Sequence, residues 1–194
     1  MNKALLILVA MLASSCIEIE LKAPAYEVVY FGKGHHRPAV RPDVSKHDYV
    51  WVFTQSCLYS IEGEDQIDCN KLEGRGYLSI EGGQHVDSAR WAWFPLNGKI
   101  YICTYTYANQ SRDVKIVDSV AVGEPIRLAI RFDGYSAYYY TVQKQNQPER
   151  LYQEPKLHNK KLRFDLYSYM GGNRPAVQPI TILKYKNWTN YERR

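Results

Sequence analysis

Residues 88–107 read Ser-Ala-Arg-Trp-Ala-Trp-Phe-Pro-Leu-Asn-Gly-Lys-Ile-Tyr-Ile-Cys-Thr-Tyr-Thr-Tyr. Two runs that alternate with period two, 88–94 and 99–107, flank Pro95-Leu96-Asn97-Gly98. Asn-Gly tolerates the positive φ angles of a two-residue hairpin turn, so the stretch predicts an antiparallel hairpin. The pleat sets Trp91 and Trp93 on one side of the first strand, and Ser88, Arg90, Ala92 and Phe94 on the other. In the second strand Ile100, Ile102, Thr104 and Thr106 oppose Tyr101, Cys103, Tyr105 and Tyr107.

The same alternation recurs at 17–21, 26–31, 49–54, 77–81, 114–120, 125–132, 136–142, 161–169 and 179–185. Asp133-Gly134 and Gly171-Gly172 mark further turns, the latter read as a position needing positive φ. Helix periodicity is nearly absent. Roughly ten or more short strands with turns between them predict an all-β, antiparallel sandwich or barrel. Residues 32–48, with Pro38, Pro42 and three His, read as a long loop, and 143–159 as a second. A chain of 194 residues suits one domain. No sizeable helix is expected beyond the N-terminal segment.

That segment reads as export machinery. Lys3 precedes the apolar run Ala4 to Leu12, and Ala13-Ser14-Ser15 leads to Cys16. Residues 1–15 form a signal peptide by pattern. They also resemble the lipobox of bacterial lipoproteins, which implies lipid on Cys16, a tether over 16–24 and a domain over 25–194. The expected location is the bacterial envelope, with the membrane as partner through the acyl chains. Such a compartment permits disulfides. Cys57 and Cys69 are the closest of the remaining cysteines and are predicted to bridge. Cys103, mid-strand, reads as a free thiol. Spacing alone leaves three pairings open.

Charge is uneven. Residues 143–194 hold 11 basic and 4 acidic side chains, against 13 and 16 over 17–142. A basic quarter suits acidic polysaccharide or a Lys-blunted sheet edge. Nucleic acid is not an expected partner outside the cytoplasm. The 17 tyrosines are the other anomaly. By alternation Tyr101, Tyr105, Arg127, Arg131, Arg163, Tyr167 and Tyr169 fall on the non-core side of their strands. Adjacent strands would make them one surface of aromatic faces and guanidinium donors, suited to a glycan, above all an acidic one.

Three stretches carry a family resemblance. They are Asp65-Gln66-Ile67-Asp68-Cys69-Asn70-Lys71-Leu72, the run from His85 to Trp93 with Tyr105-Thr106-Tyr107, and Tyr169-Met170-Gly171-Gly172-Asn173-Arg174-Pro175-Ala176 followed by Ile180-Thr181-Ile182. Together they resemble an uncharacterised family of Bacteroidetes and their phages with a jelly-roll, concanavalin A-like β-sandwich. The resemblance implies that fold. Lectin-like modules and polysaccharide lyases share it. The chain departs from the family pattern at Asp87, Ala92, Phe94 and Val177-Gln178-Pro179, which favours binding over catalysis.

The expected function is therefore a lipid-anchored, lectin-like glycan binder. A polysaccharide lyase is the alternative: it needs a His or Tyr base and an Arg or Gln to neutralise the uronate carboxylate, types that Gln84-His85 with Arg90 and Tyr105 or Tyr107 supply. A structural or interaction lipoprotein without a sugar ligand is the third reading. No metal or other cofactor is expected: the histidines lack ligand spacing, and Glu62, Glu64, Asp65 and Asp68 match no calcium loop.

Overall fold

The computed structural model describes residues 26–31, 39–40, 46–61, 63–77, 83–132, 136–156, 163–168, 170–171 and 176–192. The expected signal peptide at 1–15, Cys16, the tether, the strand at 17–21 and Tyr169 lie outside them. Arg163 is placed as backbone, with its side chain outside the description.

Among the described residues, twelve strands form two antiparallel six-stranded sheets. The first sheet runs Tyr26–Phe31 (β1), Ile180–Tyr185 (β12), Lys46–Phe53 (β3), Pro125–Arg131 (β8), Ala137–Lys144 (β9) and Arg150–Pro155 (β10). The second runs Ala39–Val40 (β2), Arg163–Leu166 (β11), Asn70–Tyr77 (β4), Asp87–Leu96 (β5), Lys99–Ala108 (β6) and Ser111–Val120 (β7). A short helix, Trp188–Glu192 (α1), ends the description.

The β5–β6 hairpin forms in the predicted register, with Ser88 opposite Tyr107 and Phe94 opposite Tyr101. Asn97 (φ 51°) and Gly98 (φ 73°) both adopt positive φ, which matches the turn's twist to that of the strands. The next turn repeats the device without glycine: Asn109 and Gln110 have φ 52° and 63°.

Between the sheets, Trp51, Phe53, Ile126, Leu128, Ile130, Tyr138, Tyr140, Ile180 and Ile182 meet Leu72, Ala89, Trp91, Trp93, Ile100 and Ile102. Each such Leu, Ile or Phe side chain contributes about 1.5–3 kcal/mol over exposure. The tyrosine hydroxyls buried here have partners, as they must. Tyr138 donates to Asp87 Oδ1, and Tyr140 shares a 2.7 Å hydrogen bond with Thr106. That accounts for the two threonines on the inward side of β6: Thr104 donates to the buried Glu154.

At one end of the interior a polar cluster joins the sheets. Arg75 Nη2 lies 2.8 Å from Asp165, Arg75 Nε donates to His47 Nε2 at 3.3 Å, and Lys184 Nζ donates to Glu73 at 2.7 Å. Burial alone would push Asp165 up, but contact with His47 and Arg75 outweighs it and leaves the carboxyl below its ordinary range.

Beyond Tyr77 the strand expected at 77–81 lies outside the described residues, and alternation does not mark the strand Asn70–Tyr77. There the alternation is hidden by Gly74, Gly76, the interior Arg75 and a bulge between Lys71 and Gly74. Part of the 143–159 loop is β10, an edge strand of polar sequence, as edges tend to be. Finally, Phe164 and Asp165 exchange the sides that alternation gives them: Asp165 faces the interior with Arg75, and Phe164 packs over Gly76 on the outer side.

Candidate functional site

The two outer faces of the sandwich differ. On the first sheet, Val50, Val52 and Tyr185 are roofed by Tyr191 and Trp188 of α1. Beside them Arg127 grips Asp48 through two hydrogen bonds of 2.7 and 2.9 Å and also meets Glu149 and Gln143. The Asp48 pair holds Arg127 above its ordinary range. Arg131 lies 5.1 Å over the Tyr139 ring on the same face.

The second sheet carries the tyrosines. Strand pairing sets its outward residues in rows: Ser88–Tyr107–Arg112, Arg90–Tyr105–Val114 and Ala92–Cys103–Ile116, with Phe94–Tyr101 beyond. Phe94 and Tyr101 stack at 5.3 Å, nearly parallel. Tyr105 and Tyr107 meet at 5.9 Å, and the His85 ring stands edge-on to Tyr107 at 5.2 Å. His85 is exposed and shares a 3.2 Å contact with the Gln84 amide.

Two cations belong to this face. Lys71 reaches it from β4, with Nζ 4.9 Å above the Tyr105 ring. It is only 7 % exposed, and burial, aided by Arg90, brings its amine down to about 8. Arg112, exposed on β7, meets the Tyr105 hydroxyl. Alternation had not singled out either residue. The Asn109-Gln110 turn, read as a two-residue hairpin, would have placed Arg112 opposite Tyr107. Lys71 lies on the bulged strand, and nothing in the pattern places it.

Arg90 belongs to this face, yet it is 5 % exposed. Its guanidinium donates to the Leu72 carbonyl at 3.3 and 3.2 Å and to the Tyr167 carbonyl. It thereby ties β5 to the β4 bulge and to the chain beyond β11. Gly74 permits this approach, because a Cβ there would stand 2.2 Å from the Ala89 carbonyl oxygen.

The surface expected from seven residues is thus divided. Tyr101 and Tyr105 share the outer face of the second sheet, while Arg127 and Arg131 occupy that of the first, a sandwich thickness away. Tyr167 adjoins the tyrosine face through its carbonyl. The reason is topological: β8 pairs with β3 and β9, never with β6.

The expected Cys57–Cys69 bridge is absent, and Cys57, Cys69 and Cys103 are free thiols. Cys57 is sealed in the core beside the Thr181 carbonyl, and burial lifts its thiol to about 12. Cys69 packs on the outer face with Cys103. Gly171 needs no positive φ. It is glycine because a Cβ would stand 2.1 Å from the Cys69 carbonyl oxygen. Among the described residues no cluster of three or more His, Cys, Asp or Glu is arranged to hold a metal ion.

A cavity of about 670 Å³ lies at the turn end of the β5–β6 hairpin, against Leu58, Tyr59, Ile61, Gln66, Pro95 and Leu96. Its described lining carries no charged side chain. No protein-family model matches the chain, and no curated protein does. Solved structures resemble it, among them two of differing likeness. The Scytalido-glutamic peptidase with a peptide-based transition state analog is 9% identical, with a TM-score of 0.39 over 84% of this chain and 66% of its own. A double mutant of the alginate lyase Aly36B, in complex with alginate trisaccharide, is 12% identical, with a TM-score of 0.53 over 82% of this chain and 79% of its own. This second likeness, with the two antiparallel sheets, identifies the chain's fold as a jelly-roll β-sandwich.

Proposed function

We propose that the tyrosine face of the second sheet binds an acidic glycan, from a chain held at a bacterial membrane by lipid on Cys16. The observation that carries this is the convergence on one sheet face of the accessible Tyr101, Tyr107, His85 and Arg112, over the buried Tyr105 and Lys71. Sugar rings stack their C–H faces on aromatic rings, and carboxylates pair with the cations between them. The alginate trisaccharide in the lyase of similar fold supports glycan as the ligand class. Calorimetry with oligouronates of increasing length tests the reading. Affinity should rise with length until the face is filled, and fall with salt. Neutral oligosaccharides of equal length binding as well would remove the acidic preference, and absence of binding by both would remove the reading.

One observation favours a second reading, a polysaccharide lyase. An amine brought down to about 8 is suited to remove a proton next to a uronate carboxylate, and Lys71 sits above Tyr105, which would return a proton to the leaving oxygen. Arg112 would neutralise the carboxylate. Lys71 takes the role that His85 was expected to fill, since His85 is exposed and edge-on to Tyr107. An absorbance assay for unsaturated uronate separates the two readings. Product that disappears in Lys71→Met makes the protein a lyase, and binding without product leaves it a binder.

A further inference from the structure

Strand β7 ends the second sheet, and its free edge differs along its length. The Asn109-Gln110 turn commits the Ser111 backbone to Ala108. The backbone groups of an antiparallel strand alternate between its two sides. Asp113 and Lys115 therefore bond to β6, opposite Thr106 and Thr104, while Arg112, Val114 and Ile116 turn their N–H and C=O groups to the open edge. Further along, side chains of the first sheet close that edge. Tyr152 donates to the Val117 carbonyl at 3.2 Å, and Lys144 Nζ to the Ser119 carbonyl at 2.7 Å. Among the described residues nothing pairs with the edge from Arg112 to Ile116. The same stretch exposes two large apolar side chains, Val114 at 36 % and Ile116 at 60 %.

We infer that this edge pairs with the same edge of a second copy of the chain, antiparallel about a twofold axis through Val114. The pairing does not depend on the glycan reading. In this register Val114 faces the second copy's Val114, Arg112 faces its Ile116, and Asp113 faces its Lys115. The free donors of each edge then meet the free acceptors of the other, and the apolar side chains are covered. Charge selects the register. Asp113 and Lys115 lie on one side of the strand, 3.0 Å apart and both accessible. About Val114 they form two cross-strand pairs of opposite charge. A slip of two residues sets Asp113 against Asp113, or Lys115 against Lys115, which destabilises the pairing. A slip of one sets open backbone groups against groups already bonded to β6. The lysine that blunts this edge toward a foreign strand is thus answered by the aspartate of a copy. The interface is isologous and closes at two chains. It joins two six-stranded sheets into one, with both tyrosine faces on the same side.

The test is sedimentation equilibrium of the full chain in mild detergent over a roughly thousandfold range of concentration, with amide hydrogen exchange read residue by residue at both ends of the range. The expected result is a protein mass that rises from one chain to two, while the amides of Arg112, Val114 and Ile116 gain protection. Val114→Pro removes an edge N–H without breaking the β6 ladder. Asp113→Lys sets lysine against lysine. Each should leave one chain's mass throughout, with circular dichroism showing the strands retained. One chain's mass at every concentration in the unaltered protein, a dimer that survives either substitution in folded protein, or a dimer without new protection at these three amides would overturn the inference.

Discussion

The outer faces of the two sheets are built from similar residues and put to different uses. Both carry tyrosine and arginine on the non-core side of alternating strands. On the first sheet the chain's own end covers the apolar part: Tyr191 and Trp188 lie on Val50, Val52 and Tyr185. Its leading cation is already matched, with Arg127 closed on Asp48 and Glu149. On the second sheet the described residues include no carboxylate paired with Arg112, and the tyrosines contact one another, Lys71 and His85. Alternation says only that a side chain leaves the core. Whether it meets more protein or a ligand depends on what crosses over it, and period two holds no information about that.

The contrast can be broken experimentally. The largest effect belongs to the roofed face. Tyr185→Ala, at a position 1 % exposed, should cost about 3–5 kcal/mol in denaturant unfolding, by analogy with other buried aromatics. Arg127→Ala should cost less, about 1–3 kcal/mol, since its pair with Asp48 lies between exposed and fully buried pairs. Neither substitution should change oligouronate affinity in the folded protein. On the tyrosine face the ranking reverses. Tyr107→Ala removes one stacking ring from a half-buried site and should weaken oligouronate binding by about tenfold or less, with little change in unfolding.

The smallest effect is a pH dependence. Lys71 titrates at about 8 in the folded protein, against 10.5 ordinarily. Between those values the unfolded chain holds the proton that the folded chain has released. Stability therefore rises with pH across that window, while the charge available to an acidic ligand is lost. Oligouronate affinity should fall as pH passes about 8, and in Lys71→Met both trends should flatten.

Much of this fold is legible in single residues of the sequence. Asn97-Gly98 and the alternation around it place the central hairpin, and Trp91, Trp93, Ile100 and Ile102 mark its inner side. Where strands carry special duties the pattern fails. Strand β4 hosts an interior arginine, two glycines chosen for close approach and a bulge, so its sequence reads as irregular. Strand β11 has its sides exchanged because Asp165 answers Arg75, a partner that only topology supplies. The site was half legible for the same reason. Tyr101, Tyr105 and His85 follow from the hairpin, but strand order decides that Arg127 and Arg131 belong elsewhere and that Lys71 and Arg112 take their place. The thiols repeat the lesson: nearness in sequence paired Cys69 with Cys57, whereas the fold buries Cys57 in the core and sets Cys69 on the outer face.

The most direct test of the account is a calorimetric comparison of two double variants, one for each face, titrated with the same acidic oligosaccharide. Tyr107→Ala with Arg112→Ala should reduce affinity by roughly tenfold to a hundredfold, while Arg127→Ala with Arg131→Ala should leave it within about twofold of the unaltered protein. Equal losses in both, or a loss confined to the second, would contradict the assignment of function to the tyrosine face.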